Sequence, residues 1–179
     1  MPTRVPWLPA AVAVVAAVVT IGLVTTGLTT LHGVRREARS RAEPVAAQPT
    51  TAPTGAQARA VLRAWDRRRA AAWGRGDLTA LSQLYAPGSA TGRRDVAMLA
   101  AYRRHGLRVT GMTRQVLRLR VTVAAPRQLA LVVTDRLVDA RVVGHGVRAA
   151  VPDGRPATRR VALVRAGHGW RVTEVRAGG

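Results

Sequence analysis

WDRRRAAAWGRGDLTALSQLYA, residues 65–86, contains two helices and the break between them. Gly74-Arg75-Gly76 stops the first helix, because glycine accepts the left-handed backbone found at helix ends. Asp77 then reads as the N-cap of a second, shorter helix with Leu78, Leu81, Leu84 and Tyr85 turned inward. Ala86-Pro87-Gly88 ends it. Upstream, Thr54-Gly55-Ala56-Gln57 has the spacing of a capping box, so the first helix is predicted to run from there to about residue 73. Val61, Leu62, Trp65, Ala72 and Trp73 make its apolar stripe, with Arg63, Arg67, Arg68 and Arg75 largely on the other side.

A third helix is predicted over 93–105, with Val96, Leu99 and Ala100 inward and Gly106 as its stop. The period then changes to two. Leu117, Leu119, Val121 and Val123 alternate with Arg118, Arg120 and Thr122, and are expected to face inward. After a turn at Ala125-Pro126-Arg127, Leu129, Leu131, Val133 and Leu137 alternate with Ala130, Val132, Thr134 and Val138. A glycine-bearing loop is expected over 143–156, and a last hairpin pairs 161–165 with 170–175 around Ala166-Gly167-His168-Gly169. Three helices followed by about four mostly antiparallel strands predict an α+β domain with its helices on one face of the sheet.

The run from Trp65 through Gly76-Asp77-Leu78 to Leu84-Tyr85-Ala86 resembles the opening of nuclear-transport-factor-2-like domains, a superfamily that includes SnoaL-like cyclases and ketosteroid isomerases. The resemblance covers about residues 56–177. It implies a cone, in which three helices pack on a strongly curved antiparallel sheet and enclose a pocket between the first helix and the sheet. The superfamily hosts enzymes, binders and scaffolds, so function has to be argued from the site.

N-terminal to this domain, residues 8–31 carry no charge over 24 positions. As a helix they are roughly 36 Å long, enough to cross a hydrocarbon core of about 30 Å. The expected organisation is a flank over 1–7, a transmembrane helix over 8–31, a basic then Pro/Ala/Thr-rich linker over 32–54, and the domain over 55–179. The apolar run exceeds the h-region of a cleaved signal peptide. Arg35, Arg36, Arg39 and Arg41 follow the span and only Arg4 precedes it, which by the positive-inside rule places the domain in the cytoplasm. The linker composition favours the opposite side, a domain held off the outer face of a cell membrane, and that extracytoplasmic placement is the one expected here. The whole layout is similar to actinobacterial membrane-anchored proteins of unknown function.

All 29 basic residues are Arg, the formal net charge is +20, and Lys, Asn, Phe and Cys are absent. The lack of Cys excludes disulfides, thiolate metal sites and cysteine nucleophiles. Part of the basicity reads as the mark of a GC-rich genome. The remainder still favours acidic protein partners or anionic lipid headgroups.

Candidate chemistry is sparse. Asp66 follows Trp65 and has a route inward, but among Arg67, Arg68 and Arg69 it reads as a solvated ion-pair partner. Asp135 and Asp139 differ from Leu131, Val133 and Leu137 by even numbers, so both are expected on the inner strand face, with Arg141 placed to pair with Asp139. A structural pair is expected over acid–base work. His32, His105, His145 and His168 form no metal motif, and the Gly-x-Gly runs lack the strand–turn–helix setting of a nucleotide loop. Arg114, Arg118 and Arg120 form a stripe at period two. No aromatics are interleaved with it for stacking on bases, which argues against nucleic acid. Trp65, Trp73 and Tyr85 read as core. The candidate pocket residues are Trp65, Tyr85, Asp135 and Asp139; no catalytic, cofactor or metal residue is assigned. The expected function is a membrane-anchored, non-catalytic binding or accessory protein, with a protein partner or a second copy of itself. The alternative is a small-molecule binder or enzyme of SnoaL-like or isomerase type using a pocket carboxylate.

Overall fold

The computed structural model describes residues 51–167 and 169–178. The flank, the expected span at 8–31, most of the linker, His32 and His168 lie outside the described residues. Among the described residues, no helix is long and apolar enough to cross a membrane.

Among the described residues three helices come first: α1 (Gly55–Arg75), α2 (Leu78–Ser82) and α3 (Ala90–Arg104). The capping box forms, with Thr54 Oγ1 accepting from the Gln57 amide at 3.3 Å and Gln57 Oε1 accepting from the Thr54 amide at 2.8 Å. Gly76 caps the other end of α1 at φ 67°, and Asp77 accepts from the Ala80 amide at 2.9 Å to start α2. The third helix starts earlier than its apolar periodicity predicts. Ser89 is the N-cap, accepting from the Gly92 amide at 3.1 Å while its hydroxyl donates to the Thr173 carbonyl at 2.7 Å. Gly92 is required because the Tyr85 ring lies against this turn, and a Cβ there would sit 2.6 Å from Tyr85.

Seven strands follow: β1 (Arg108–Thr110), β2 (Thr113–Ala125), β3 (Gln128–Val138), β4 (Arg141–Gly144), β5 (Val147–Ala150), β6 (Ala157–Ala166) and β7 (Gly169–Ala177). They make two antiparallel sheets, a four-stranded one ordered β2-β3-β6-β7 and a three-stranded one ordered β1-β4-β5. The stretch expected to be a loop over 143–156 thus contains a hairpin. Gly144 pairs with Val147, and His145 (φ 46°) and Gly146 (φ 75°) form its two-residue turn. Both turn residues take the positive φ that matches strand twist, but His-Gly is a weaker sequence cue than Asn-Gly.

Two bulges in β2 rearrange its faces. Register shifts fall between Val116 and Arg118 and between Val121 and Val123. Each inserts one residue, so the alternation changes phase. Val116 stands opposite Asp135 and Leu119 opposite Val133, which puts residues 114, 116, 119 and 121 on the inner face. The expectation that Leu117 and Val123 face inward is therefore corrected: they are 51% and 43% exposed. Leu117→Ala is expected to change stability by less than about 0.5 kcal/mol. Leu131, 1% exposed, is expected to cost about 2–5 kcal/mol on the same truncation. Denaturant unfolding of both variants checks this, and a large loss at Leu117 would move the bulge elsewhere.

The core lies between the helices and the inner face of the larger sheet. Leu62, Leu81 and Leu99 meet Leu129, Leu131, Val133, Val161, Leu163 and Val172, all essentially solvent-free. Trp65 packs edge-on to Tyr85 with centroids 5.7 Å apart, and its indole N–H donates to the Leu84 carbonyl at 3.2 Å. The turn that follows α2 is stitched to β7 by backbone bonds from the Ala86 amide to the Val172 carbonyl and from the Val172 amide to the Leu84 carbonyl.

Candidate functional site

Two groups of buried charge lie on the inner side of the domain. The first joins α1, α3 and the turn that follows α2. Asp95, 5% exposed on α3, accepts four hydrogen bonds. Arg69 Nε and Nη2 reach its two oxygens at 2.7 and 2.5 Å, Trp73 Nε1 reaches Oδ1 at 3.2 Å, and the Tyr85 hydroxyl donates to Oδ2 at 2.6 Å. The Arg69 guanidinium also lies 5.7 Å from the Trp73 ring centroid, within cation–π range. Burial pulls the Arg69 pKa down, but the Asp95 charge and hydrogen bonds outweigh it and the net direction is upward. Burial, reinforced by the Asp95 charge, pushes the Tyr85 phenol well above its ordinary value despite the opposing Arg69 charge.

The second group lies between α1 and the larger sheet. Asp135 of β3 is 1% exposed. Its Oδ1 accepts from Arg114 Nη1 at 3.0 Å and its Oδ2 accepts from Arg159 Nε at 2.8 Å, with Arg159 Nη2 at ion-pair distance, 2.6 Å from Oδ2. Arg159 Nη2 also stands 3.5 Å from Asp66 Oδ1, so one guanidinium bridges sheet and helix. Arg114 faces inward because the Leu117 bulge separates it in phase from Arg118 and Arg120. The expected three-arginine stripe on one face is corrected accordingly. Burial, together with the neighbouring Arg159 charge, lowers the Arg114 pKa.

The sequence-derived candidates are distributed unevenly. Trp65 and Tyr85 are core residues at 5% exposure each. Asp135 faces inward. Asp139 does not join it: β3 ends at Val138, and Asp139 sits exposed at φ 62° in the bend before β4. Its even spacing from Asp135 loses meaning where the strand ends, and among the described residues it makes no ion pair with Arg141. Asp66 is corrected from a solvated position to one whose side chain is 11% exposed. Asp95 was missed. Its cue was Arg69, which recurs with Leu62, Trp65, Asp66 and Trp73 on the apolar stripe of α1 and so calls for a buried acid. Among the described residues, no buried side-chain nitrogen or oxygen lacks a hydrogen-bond partner, and no three His, Asp or Glu side chains gather where a metal ion would be held.

Asp66 makes a testable exception to this neutralised interior. Burial raises its pKa above the ordinary 3.8, against the lowering influence of Arg159 and Arg114. The folded state therefore binds this proton more tightly than the unfolded chain. The stabilising contribution is present at low pH and is lost as pH rises from the ordinary carboxyl value through the raised one. Asp66→Asn is expected to raise Tm at neutral pH by about 2–5 °C, with the gain vanishing below pH 3.8. Thermal melts of parent and variant across pH check it; an earlier melt of the variant at neutral pH would show a charge that Arg159 stabilises.

No protein-family profile and no curated protein matches the chain. Solved structures similar to it include the intermembrane space region of the chloroplast protein ARC6, at 16% identity and TM-score 0.48, covering 70% of this chain and 98% of that one. Aln2 from a Streptomyces species is similar at 14% identity and TM-score 0.48, over 70% and 92% of the two chains. An NTF2-like protein with a cystatin-like fold from Novosphingobium aromaticivorans is similar at 16% identity and TM-score 0.43, over 68% and 80%. At these values the likeness carries no statement about chemistry. The α+β architecture rests on the strands and helices described above.

Proposed function

We propose that this chain is a membrane-anchored accessory protein whose folded domain works by binding and not by catalysis. The observation that supports this most is how the inner carboxylates are used. A pocket acid or base needs a free carboxyl tuned by burial. Here both oxygens of Asp95 and of Asp135 are taken up by arginine, tryptophan and tyrosine donors. The three inner carboxylates take Arg69, Arg114 and Arg159 inward with them, so this inner set is neutral and the formal net charge of +20 rests on the other residues. Such a charge attracts anionic partners. Residues 8–31 supply the membrane part of the reading and the linker supplies the reach.

Asp66, buried and pushed toward its protonated form, favours a second reading as a small-molecule binder or isomerase-type enzyme. Native mass spectrometry of the full chain purified from its own membranes separates the two. Accessory function predicts the chain with lipid or a protein partner. A stoichiometric small molecule that is lost in Asp66→Asn would replace this reading with the second. Reporters fused after residue 179, one active only outside the membrane and one only inside, test the anchor. An outside result is expected, and activity of both reporters in the soluble fraction would remove the anchor.

A further inference from the structure

The outer face of the larger sheet, turned away from the helices, carries Arg118 and Arg120 of β2, Arg136 of β3, Arg160 of β6, and Arg171 and Arg176 of β7. Arg160 pairs directly with Arg176, and Arg120 shares their row through Val132. Like charges directly opposite one another destabilise a sheet, and a bound anionic surface relieves that repulsion. Glu174 is the carboxylate on this face, and it accepts from Arg176 Nε at 2.5 Å. Between the arginines the floor is half-buried, with Val132 beside a Thr134–Thr158 hydroxyl pair 2.9 Å apart.

The rim of this face is apolar as well as basic. The first β2 bulge brings Arg114 inward and leaves Leu117 exposed, and the second leaves Val123 exposed, on either side of Arg118 and Arg120. Guanidinium groups beside protruding aliphatic side chains suit a lipid interface, where the charge meets phosphate and the aliphatic groups enter the headgroup boundary. A second copy of this chain would bring one arginine row against another. Residues 32–54 reach at most about 75 Å when extended, so the tether keeps a membrane within range of any face of the domain.

From this arrangement we infer that the outer face of the β2-β3-β6-β7 sheet docks on the anionic headgroups of the membrane that residues 8–31 enter. This rests on the anchored reading above. The arginines hold phosphate, and Leu117 and Val123 enter the interface.

The chain has no Cys, so Val123→Cys carries a single environment-sensitive fluorophore. The full chain is placed in nanodiscs of phosphatidylcholine alone or mixed with phosphatidylglycerol. In the mixed discs the emission is expected to shift to the blue, with iodide quenching about threefold lower, and high salt is expected to reverse both. Arg118→Glu with Arg120→Glu and Arg160→Glu is expected to abolish the response. The same charge change at Arg59, Arg63 and Arg67 on α1 is expected to leave most of it; melting curves confirm that both variants are folded. Equal emission in both disc types overturns the docking. It does so unshifted, and also shifted, since a shift in both means that another part of the chain or a second copy covers the face. A response to poly-glutamate in neutral discs that matches the lipid response assigns the face to an acidic protein instead. Failure of the chain to enter discs at all removes the anchor, and the docking with it.

Discussion

Asp95→Ala is expected to lower the stability of the domain by about 3–5 kcal/mol, because breaking one side of a buried ion pair leaves the other charge uncompensated. For a domain of this size that corresponds to a fall in Tm of about 10–20 °C, read by circular dichroism of the full chain in detergent. Four donors lose their acceptor together. The Arg69 side chain, 17% exposed and with its guanidinium 5.7 Å from the Trp73 ring centroid, loses its counter-charge. The Tyr85 hydroxyl and Trp73 indole N–H would be stranded between α1 and α3. The Asp95 carboxylate ties α3 to α1 and to the turn that follows α2, since its donors are Arg69 and Trp73 of α1 and Tyr85 of that turn. Tryptophan emission should shift to the red in the same variant, as Trp73 loses its partner. A fall of only two or three degrees would mean that water replaces the carboxylate readily and that the helices are held by apolar packing alone.

Asp135→Ala is the second large effect, again about 3–5 kcal/mol. Here the loss should divide unequally between the two arginines. Arg159 approaches Asp135 with two nitrogens, at 2.6 and 2.8 Å, and its side chain is 12% exposed. Arg114 makes one contact at 3.0 Å and is 31% exposed. Double-mutant cycles with Arg159→Ala and Arg114→Ala measure each coupling, and contacting pairs of this kind give about 0.5–3 kcal/mol. The Asp135–Arg159 coupling is expected to lie near the top of that range and the Asp135–Arg114 coupling near the bottom, since solvent screens the more exposed pair. Equal couplings would show that Arg114 is as desolvated as Arg159.

Both effects come from groups that were legible to different degrees in the chain. The capping box at Thr54, the stop at Gly76 and the cap at Asp77 follow from local chemistry, and all three form. They depend on residues three or four positions apart, so no distant part of the chain has to be known. Helix periodicity likewise placed Leu62, Trp65 and Trp73 on the buried side. The short strands β1, β4 and β5 were not legible. Three or four residues are too few to show a period, and the His145-Gly146 turn is an unusual one. Asp95 was signalled only indirectly, by Arg69 on the apolar stripe of α1. Nothing near it in sequence distinguishes it from the solvated carboxylates beside other arginines, and its partners lie 10 to 26 residues away.

Arg114 and Leu117 show the limit most clearly. Alternation assigns Arg114 to the face of Arg118 and Arg120, and Leu117 to the core. A single bulge reverses both assignments, because one inserted residue turns every side chain before it to the opposite face. Whether a strand bulges depends on its partner: β3 offers Asp135, a buried acid that is stable only when arginines reach it, and the inner face at Arg114 is where one does. Neighbouring residues were therefore enough for the first helix, the caps at Thr54, Gly76 and Asp77 and the α+β order, which short-range hydrogen bonding and hydrophobic periodicity control; the second helix ends earlier, at Ser82, and the third starts earlier, at Ala90, than the sequence predicts. The inward turn of Arg114, the joining of Asp66, Asp135 and Arg159, and the basic outer face with its exposed Leu117 and Val123 arise only when four strands and a helix are brought into register. Burial makes the compensation of a charge in one element depend on another element far away in the chain.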